Sequence, residues 1–117
     1  MASRADGELV RGNLELMVLS VLVDQEGYGY LIQQRLRRGS GGLVDVPAGT
    51  LYPLLHRLEG DQLLRSRWDD SAGRRRKWYE LTAAGQRRLW DRACQWKRLA
   101  ECLDRLLAPV LDAPQPA

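Results

Sequence analysis

Residues 46–85 constrain the fold most, because an amphipathic helix is followed there by two short alternating runs. In PAGTLYPLLHRLEGDQLL, leucines recur at i, i+3, i+4 and i+7 and share one helical face: Leu51, Leu54, Leu55 and Leu58. The runs LLRSRW and KWYELT flank DDSAGRRR, which carries the Asp, Ser and Gly that turns prefer. The segment therefore predicts a helix from about Ala48 to Asp61, followed by a β-hairpin with a charged tip.

Pro53 lies inside this predicted helix. A proline in a helix interior removes one backbone hydrogen bond and costs about 3 kcal/mol or more. Either the helix begins later than Ala48 or it bends at Pro53.

The rest of the chain predicts three more helices and one short strand. The first helix spans about Leu9 to Gln25, the second Tyr28 to Arg38, and the last Ala83 to Ala108, with Thr82 as N-cap and Pro109 as the end. Residues 43–46 are interpreted as a short strand. We expect a mainly α fold with a small β-hairpin: a winged helix-turn-helix domain over residues 9–82, one C-terminal helix over 83–108, and flexible tails at 1–8 and 109–117.

The positive charge of the chain is concentrated in the hairpin. The net charge of the 117 residues is only +3, yet residues 65–77 contain six cations and two anions. A local excess of this kind is typical of a surface that docks on a polyanion.

Several classes of protein are disfavoured by composition. No apolar run approaches the about 18 residues of a membrane span, and the N-terminus lacks a secretory apolar core, so we expect a cytoplasmic protein. Cys94 and Cys102 are eight residues apart on one predicted helix, too far for a disulfide, and are interpreted as reduced packed thiols. With His56 as the single histidine and no CxxC pair, we expect no metal site and no cofactor. No nucleophile stands at a recognisable spacing from His56, so we expect no enzymatic activity.

Three helices followed by a hairpin match the winged helix-turn-helix, in which the third helix enters the major groove and the wing lies along the DNA backbone. Arginines of the wing can neutralise phosphates, and the exposed face of the third helix offers Thr50, Tyr52 and His56 for phosphates or base edges. Three alternatives stay open. A basic hairpin tip can be only a solvated loop, and the same surface can bind an acidic protein partner. The third is a small hydrolase or transferase, which the absence of a recognisable nucleophile–base spacing argues against.

The strings RGNLELMVLSVL, GYGYLI, PAGTLYPLLHRLEGDQLL and GRRRKWYELTAAG resemble the PadR family of bacterial transcriptional regulators. The resemblance covers residues 9–107. It implies a winged-helix dimer that represses transcription from a palindromic operator and is often released by a small molecule. It also implies DNA contacts from Tyr28, Thr50, Tyr52 and the wing residues Arg74, Arg75, Arg76 and Lys77.

The last predicted helix carries an apolar seam at alternating steps of three and four, which a small domain cannot cover alone. We expect a partner helix to cover it, with the dimer interface formed by Leu89, Ala93, Trp96, Leu103 and Leu107. Only one helix follows the wing, so the chain is similar to the short, multidrug-responsive branch of the family. That likeness implies a pocket for a planar aromatic effector, formed by Trp96 with Leu9, Glu15, Leu16, Leu99 and Ala100.

Each residue of this pocket has a simpler interpretation as well. A tryptophan at helical spacing is more often dimer core than a ligand clamp. A buried Glu15 would favour cationic ligands, but the side chain can also be solvated. Trp90 is expected to face elsewhere and to pack against the winged domain.

Overall fold

The computed structural model describes residues 4–71 and 73–117. Its elements, in chain order, are α1 (Arg4–Gly12), α2 (Leu14–Ser20), β1 (Gly27–Tyr28), α3 (Gly29–Gly39), α4 (Ala48–Gly60), β2 (Leu64–Asp69), β3 (Arg76–Leu81) and α5 (Ala83–Leu111). The three strands form one antiparallel sheet in the order β1-β3-β2. The fold class is confirmed: a winged helix-turn-helix with a small sheet, followed by one long C-terminal helix.

Helix α4 begins at Ala48 as predicted and continues through Pro53. The carbonyl that loses its partner belongs to Gly49, four residues earlier, and both Gly49 and Pro53 are exposed. Water can therefore replace the missing hydrogen bond. On the opposite face, Leu51, Leu55 and Leu58 are fully buried.

The hairpin of β2 and β3, called the wing below, forms as predicted, with Trp68 opposite Lys77 and Ser66 opposite Tyr79. Gly73 has a φ of 73° in the connecting turn, where a side chain would be strained. The Asp69 side chain accepts a hydrogen bond from the Ser71 amide at 2.8 Å, which lowers the pKa of Asp69. The turn is thus held by the residue types that predicted it.

The core lies between the helices and the sheet. Its fully buried side chains come from α2, α3, α4 and β3: Val18, Leu19, Ile32, Leu51, Leu55, Leu58 and Tyr79. Helix α5 contributes mainly at its start, where the backbone of Gly85 packs against Leu63. Most of α5 therefore projects away from the core.

The prediction of a single first helix over residues 9–25 is wrong. The structure has α1 and α2 with a break at Asn13, whose Nδ2 donates to the Leu9 carbonyl at 2.9 Å. Helix α2 ends at Ser20 because Arg35 of α3 donates to the carbonyls of Val21, Gln25 and Glu26 at 3.2, 3.2 and 2.9 Å. Leu22 is buried although it lies in this loop, so the apolar pattern of the sequence continues beyond the end of α2.

The prediction of a strand at residues 43–46 is also wrong. Val44 and Val46 are buried with an exposed residue between them, as in a strand, but their hydrogen bonds go to side chains. The Val44 amide donates to Ser40 Oγ, and the Val46 carbonyl accepts from Gln33 Nε2, both at 2.8 Å. The additional strand is β1, at Gly27–Tyr28, beside β3.

The last helix begins as predicted and ends later. Thr82 Oγ1 accepts from the Gly85 amide at 2.9 Å and donates to the Gln62 carbonyl at 2.7 Å, which confirms Thr82 as N-cap. The helix passes Pro109 and ends at Leu111, so the predicted end at Pro109 is wrong. At the other end, α1 extends into the tail predicted for residues 1–8; residues 1–3 of that tail lie outside the described part of the chain.

Candidate nucleic-acid interface

A cleft of about 640 Å³ lies between α4 and the wing. Seven of the eight residues predicted to bind DNA line it: Tyr28, Tyr52, His56, Arg74, Arg75, Arg76 and Lys77. The eighth, Thr50, is exposed on the first turn of α4 outside the lining. The structure thus brings residues from β1, α4 and the wing to one concave surface.

Gly29 allows Tyr52 to reach into this cleft from α4. A Cβ at Gly29 would lie 2.2 Å from the Tyr52 hydroxyl oxygen, so any side chain there would displace the ring. The close contact fixes α4 against the start of α3. It also explains physically why the motif GYGY has a glycine at this position.

The cations of the wing fall into two groups by partner. In the first group, each cation is paired with a carboxylate: Arg65 with Glu80 at 2.7 Å, Lys77 with Glu59 at 3.0 Å, and Arg67 with Glu26 in a close bidentate contact. The hydrogen bond from Lys77 to Glu59 raises the pKa of Lys77. A phosphate would compete with a carboxylate at each of these cations.

The second group comprises Arg74, Arg75 and Arg76, none of which has a carboxylate oxygen within 4.0 Å among residues 4–71 and 73–117. Two of them stack on rings instead. Arg75 Cζ lies 4.3 Å from the centroid of Trp68, and Arg76 Cζ lies 4.6 Å from that of Tyr28. Stacking engages the face of a guanidinium and leaves its N–H donors free at the edge. The guanidinium groups of Arg75 and Arg76 are therefore held in place with N–H donors available to an anion.

Glu59 fixes the position of the wing relative to α4. From the last turns of α4 it accepts hydrogen bonds from Ser66 of β2 and Lys77 of β3. The hydrogen bond from Ser66, followed by that from Lys77, lowers the pKa of Glu59 despite partial burial. One carboxylate thus ties the helix to both strands of the hairpin.

The sequence pattern did not indicate Trp68 and Tyr30, which line the cleft, or Glu59, which bonds to the wing beside it. Trp68 is an exposed aromatic residue on a predicted strand next to a cluster of arginines, which is the signal that could have indicated it. The arginine that stacks on Trp68 is set by the register in which β2 pairs with β3. The periodicity of a single strand does not determine that register.

A second cavity, of about 200 Å³, lies between α5 and the junction of α1 with α2. Of the six residues predicted to bind an effector, Glu15, Leu16, Trp96 and Leu99 line it, whereas Leu9 and Ala100 do not. The Trp96 side chain is half exposed. The remaining lining residues are Gly12, Asn13, Arg92 and Gln95.

The apolar seam of α5 faces solvent in the single chain. Among the predicted dimer residues, Leu89 packs against the core of its own chain, while Ala93, Trp96, Leu103 and Leu107 are exposed. Trp90 is 68% exposed, so the prediction that it packs against the winged domain is wrong. Cys94 and Cys102 are free, half-buried thiols.

Among residues 4–71 and 73–117, no helix is both long and apolar enough to cross a membrane. The same residues contain no group of three or more His, Cys, Asp or Glu side chains arranged to hold a metal ion.

Comparison with known proteins identifies the family. The model of the transcriptional regulator PadR-like family matches residues 18–91. The chain belongs to the PadR-like family. Among relatives of this PadR-like protein, the transcriptional regulator Rv3488 of Mycobacterium tuberculosis is 40% identical over 84 residues, which cover 72% of this chain and 76% of the relative.

Solved structures of the family share the fold. A PadR-family regulator from Eggerthella lenta is 39% identical with a TM-score of 0.73, over 86% of this chain and 82% of that one. Bacillus subtilis PadR, solved in complex with operator DNA, is 25% identical with a TM-score of 0.61. That match covers 67% of this chain and 45% of the longer Bacillus protein.

Proposed function

We propose that this PadR-like protein is a cytoplasmic repressor without enzymatic activity, which binds a pseudo-palindromic operator as a homodimer. The observation that carries the proposal is the group of Arg74, Arg75 and Arg76, which have no carboxylate partner among the described residues and lie beside the exposed face of α4. The operator complex of the Bacillus relative supports the same use of the fold. In this protein α4 would enter the major groove, and the wing would contact the backbone.

The proposed DNA contacts fall into two groups, those to phosphates and those to base edges. Arg74, Arg75 and Arg76 would neutralise phosphates, which gives affinity without sequence preference. Thr50, Tyr52 and His56 project from α4, and their donors, acceptors and the threonine methyl group can contact base edges. Tyr28 would support Arg76 through stacking as well as contact DNA.

A second copy of the chain is the proposed cover for the exposed seam of α5. Two-fold symmetry would then place two α4 helices on one face of the duplex, with half-sites one helical turn or a multiple of it apart. The paired α5 helices would set that spacing.

A planar aromatic effector is the proposed occupant of the cavity beside Trp96. The 200 Å³ present in one chain is smaller than the about 300–1,000 Å³ of typical ligand sites. A second chain at the α5 seam would enlarge and close it. A planar molecule stacked on Trp96 would then release DNA by changing how the two copies are held.

Arg75→Ala tests DNA binding through the wing, with Arg65→Ala as the matched control on the same hairpin. Within the described residues, Arg75 has no carboxylate partner, whereas Arg65 is paired with Glu80. We expect Arg75→Ala to weaken binding to all duplexes and to reduce the slope of log K against log salt by about one. Fluorescence anisotropy across a salt series measures both.

Arg65→Ala should have a much smaller effect. Equal slopes for the two variants would contradict the phosphate role of Arg75. A wild-type protein that binds no duplex even at low salt would overturn the function itself, and would favour a module that binds an acidic protein through the same wing.

Trp96→Ala tests the effector site. Titration of wild-type protein with a panel of planar aromatic compounds should quench tryptophan fluorescence and release bound DNA in parallel. In the variant, both responses should weaken at least tenfold when variant and wild type are compared at protein concentrations at which sedimentation shows both to be dimeric. Trp90→Ala, on another face of α5, is the control and should preserve both responses.

A further inference from the structure

Glu15 of α2 joins three helices through one carboxylate. Arg88 Nη1 of α5 lies 3.4 and 3.5 Å from its two oxygens, and Arg57 Nη1 of α4 lies 3.7 Å from Oε1. The Glu15 side chain is only 18% exposed, whereas Arg57 and Arg88 are more open to solvent. The carboxylate therefore lies between two arginines that would otherwise face each other as like charges.

The three helices have different tasks in the proposed function. Helix α4 contacts DNA, and α5 carries the seam for the second subunit. No other carboxylate among the described residues forms ion pairs with both α4 and α5. Partial burial strengthens each contact relative to a fully solvated pair.

We infer that Glu15 is a positioning residue that couples the orientation of α5 to that of α4. The inference rests on the proposed function and assigns to Glu15 a role in it. Through Arg88, Glu15 would fix α2 against the dimer helix, and through Arg57 it would fix α2 against the DNA-binding helix. A change in how the two α5 helices are held would thereby reach both α4 helices.

The same carboxylate lines the cavity beside Trp96. A molecule in that cavity would lie against Glu15 and could disturb both ion pairs. In this inference Glu15 responds to an effector through its ion pairs with Arg57 and Arg88. It does not need to bind a positive charge on the effector. With Arg57, Arg88 and the lining residue Arg92 nearby, its negative charge is already balanced within the chain.

Glu15→Gln distinguishes a positioning role from general electrostatics, because the two predict changes of opposite sign in DNA affinity. Removal of a negative charge should tighten DNA binding if only long-range attraction matters. Loss of the coupling should weaken binding to a specific duplex. We expect affinity for a duplex selected by the wild-type protein from a random library to fall about threefold to tenfold.

Arg88→Gln provides the second test, because it changes the net charge in the opposite direction and is expected to cause a similar loss. Asp91→Asn is the matched control, since it neutralises an exposed carboxylate on the same helix, whose one ion pair in the described part of the chain is with Arg87. It should bind the selected duplex as tightly as wild type or slightly tighter. Affinity for a random duplex should change less than affinity for the selected one in both coupling variants.

The double variant Glu15→Arg/Arg88→Glu distinguishes coupling from simple stability. It restores an ion pair between α2 and α5 but places a cation beside Arg57. We expect recovery of the unfolding temperature without recovery of specific affinity. If Glu15→Gln does not fold, Arg88→Gln and this double variant carry the test.

Unchanged or tighter specific binding by Glu15→Gln and Arg88→Gln would overturn the inference and leave the repressor function intact. So would a loss that disappears at protein concentrations that keep the variants dimeric, as measured by sedimentation. A wild-type protein that selects no duplex would instead overturn the proposed function, and the inference with it.

Discussion

At the scale of single residues, neighbouring cations of the wing have different roles because they have different partners. Lys77 was predicted to contact DNA, and it does line the cleft, but its ammonium group is bound to Glu59. Arg76 and Arg75, one and two positions earlier, stack on aromatic rings and have no carboxylate partner among the described residues. Charge counted along the sequence does not distinguish the two cases.

Glu59→Gln should destabilise the protein in a pH-dependent way. The pKa of Glu59 is lowered from its usual 4.5, so its carboxylate stabilises the fold above that pH, and the contribution is lost as pH falls through the lower folded value. We expect the free energy of unfolding to fall by about 1 kcal/mol at pH 7, and the difference from wild type to be smaller at pH 3. Urea denaturation at both pH values measures this.

Glu80→Gln is the control for that measurement, because the ion pair of Glu80 with Arg65 is exposed on the wing. Exposed pairs contribute about 0–1 kcal/mol, so its effect at pH 7 should be smaller. A Glu59→Gln defect that is equally large at pH 3 would show that the loss comes from packing and not from charge.

The limit of prediction from sequence at this scale is visible in Trp68. The residue types of Tyr52, His56 and the wing arginines at positions 74–76, together with their periodicity, predicted that they share one surface, and all of them line the cleft. Trp68 acquires its role only from the pairing of β2 with β3, which sets it opposite Lys77 and beneath Arg75. That information is a property of two strands together.

At the scale of elements, local signals predicted α3, α4 and the wing, because each is defined by its own periodicity and turn residues. The end of α2 and strand β1 depend on distant groups. Arg35 holds the carbonyls of residues 21, 25 and 26 in a loop, and β1 is a strand only because β3 offers it an edge. An apolar pattern alone could not locate either.

Gly85→Ala should disrupt the junction between the winged domain and α5. A Cβ at Gly85 would lie 2.0 Å from the Leu63 carbonyl oxygen, which is backbone and cannot rotate away. Overpacking of this kind typically costs about 1–3 kcal/mol. We therefore expect the free energy of unfolding to fall by about 1–3 kcal/mol or more. Thermal and urea denaturation provide the measurement.

Gly60→Ala is the matched control, because no atom of residues 4–71 and 73–117 lies within 4 Å of the added Cβ at the end of α4. Alanine has a higher helix propensity than glycine, so this variant should be as stable as wild type or up to about 1 kcal/mol more stable. If the two variants were equally stable, the contact between Gly85 and Leu63 would not determine how α5 leaves the domain.

At the scale of the whole molecule, the chain is longer than a compact domain of its size. Its radius of gyration is 16.9 Å, against about 13 Å for a globular chain of 117 residues, and its longest dimension is 57 Å. The cause is α5, whose 29 residues span about 43 Å and leave its apolar face exposed. The sequence predicted this exposed seam because the seam is an apolar repeat within one helix, whereas the partner proposed to cover it cannot be identified from that repeat.

Leu103→Glu should convert the proposed dimer into monomers. A carboxylate in the middle of an apolar seam loses hydration without gaining a partner, so we expect the dissociation constant of the dimer to rise at least a hundredfold. Arg105→Glu introduces the same side chain about 200° further round the helix and should leave the dimer intact. Sedimentation equilibrium compares the two variants, and circular dichroism checks that both retain their helices.

DNA binding by the same variants then tests what the dimer contributes. Each folded Leu103→Glu monomer keeps α4 and the wing, so its affinity for random duplexes should fall only modestly. Its preference for the two-fold symmetric duplex should largely disappear, since that preference depends on two half-sites held at a fixed distance. A monomeric variant that still preferred the symmetric duplex would show that α5 does not set the spacing, and a variant that stayed dimeric would place the interface elsewhere on the molecule.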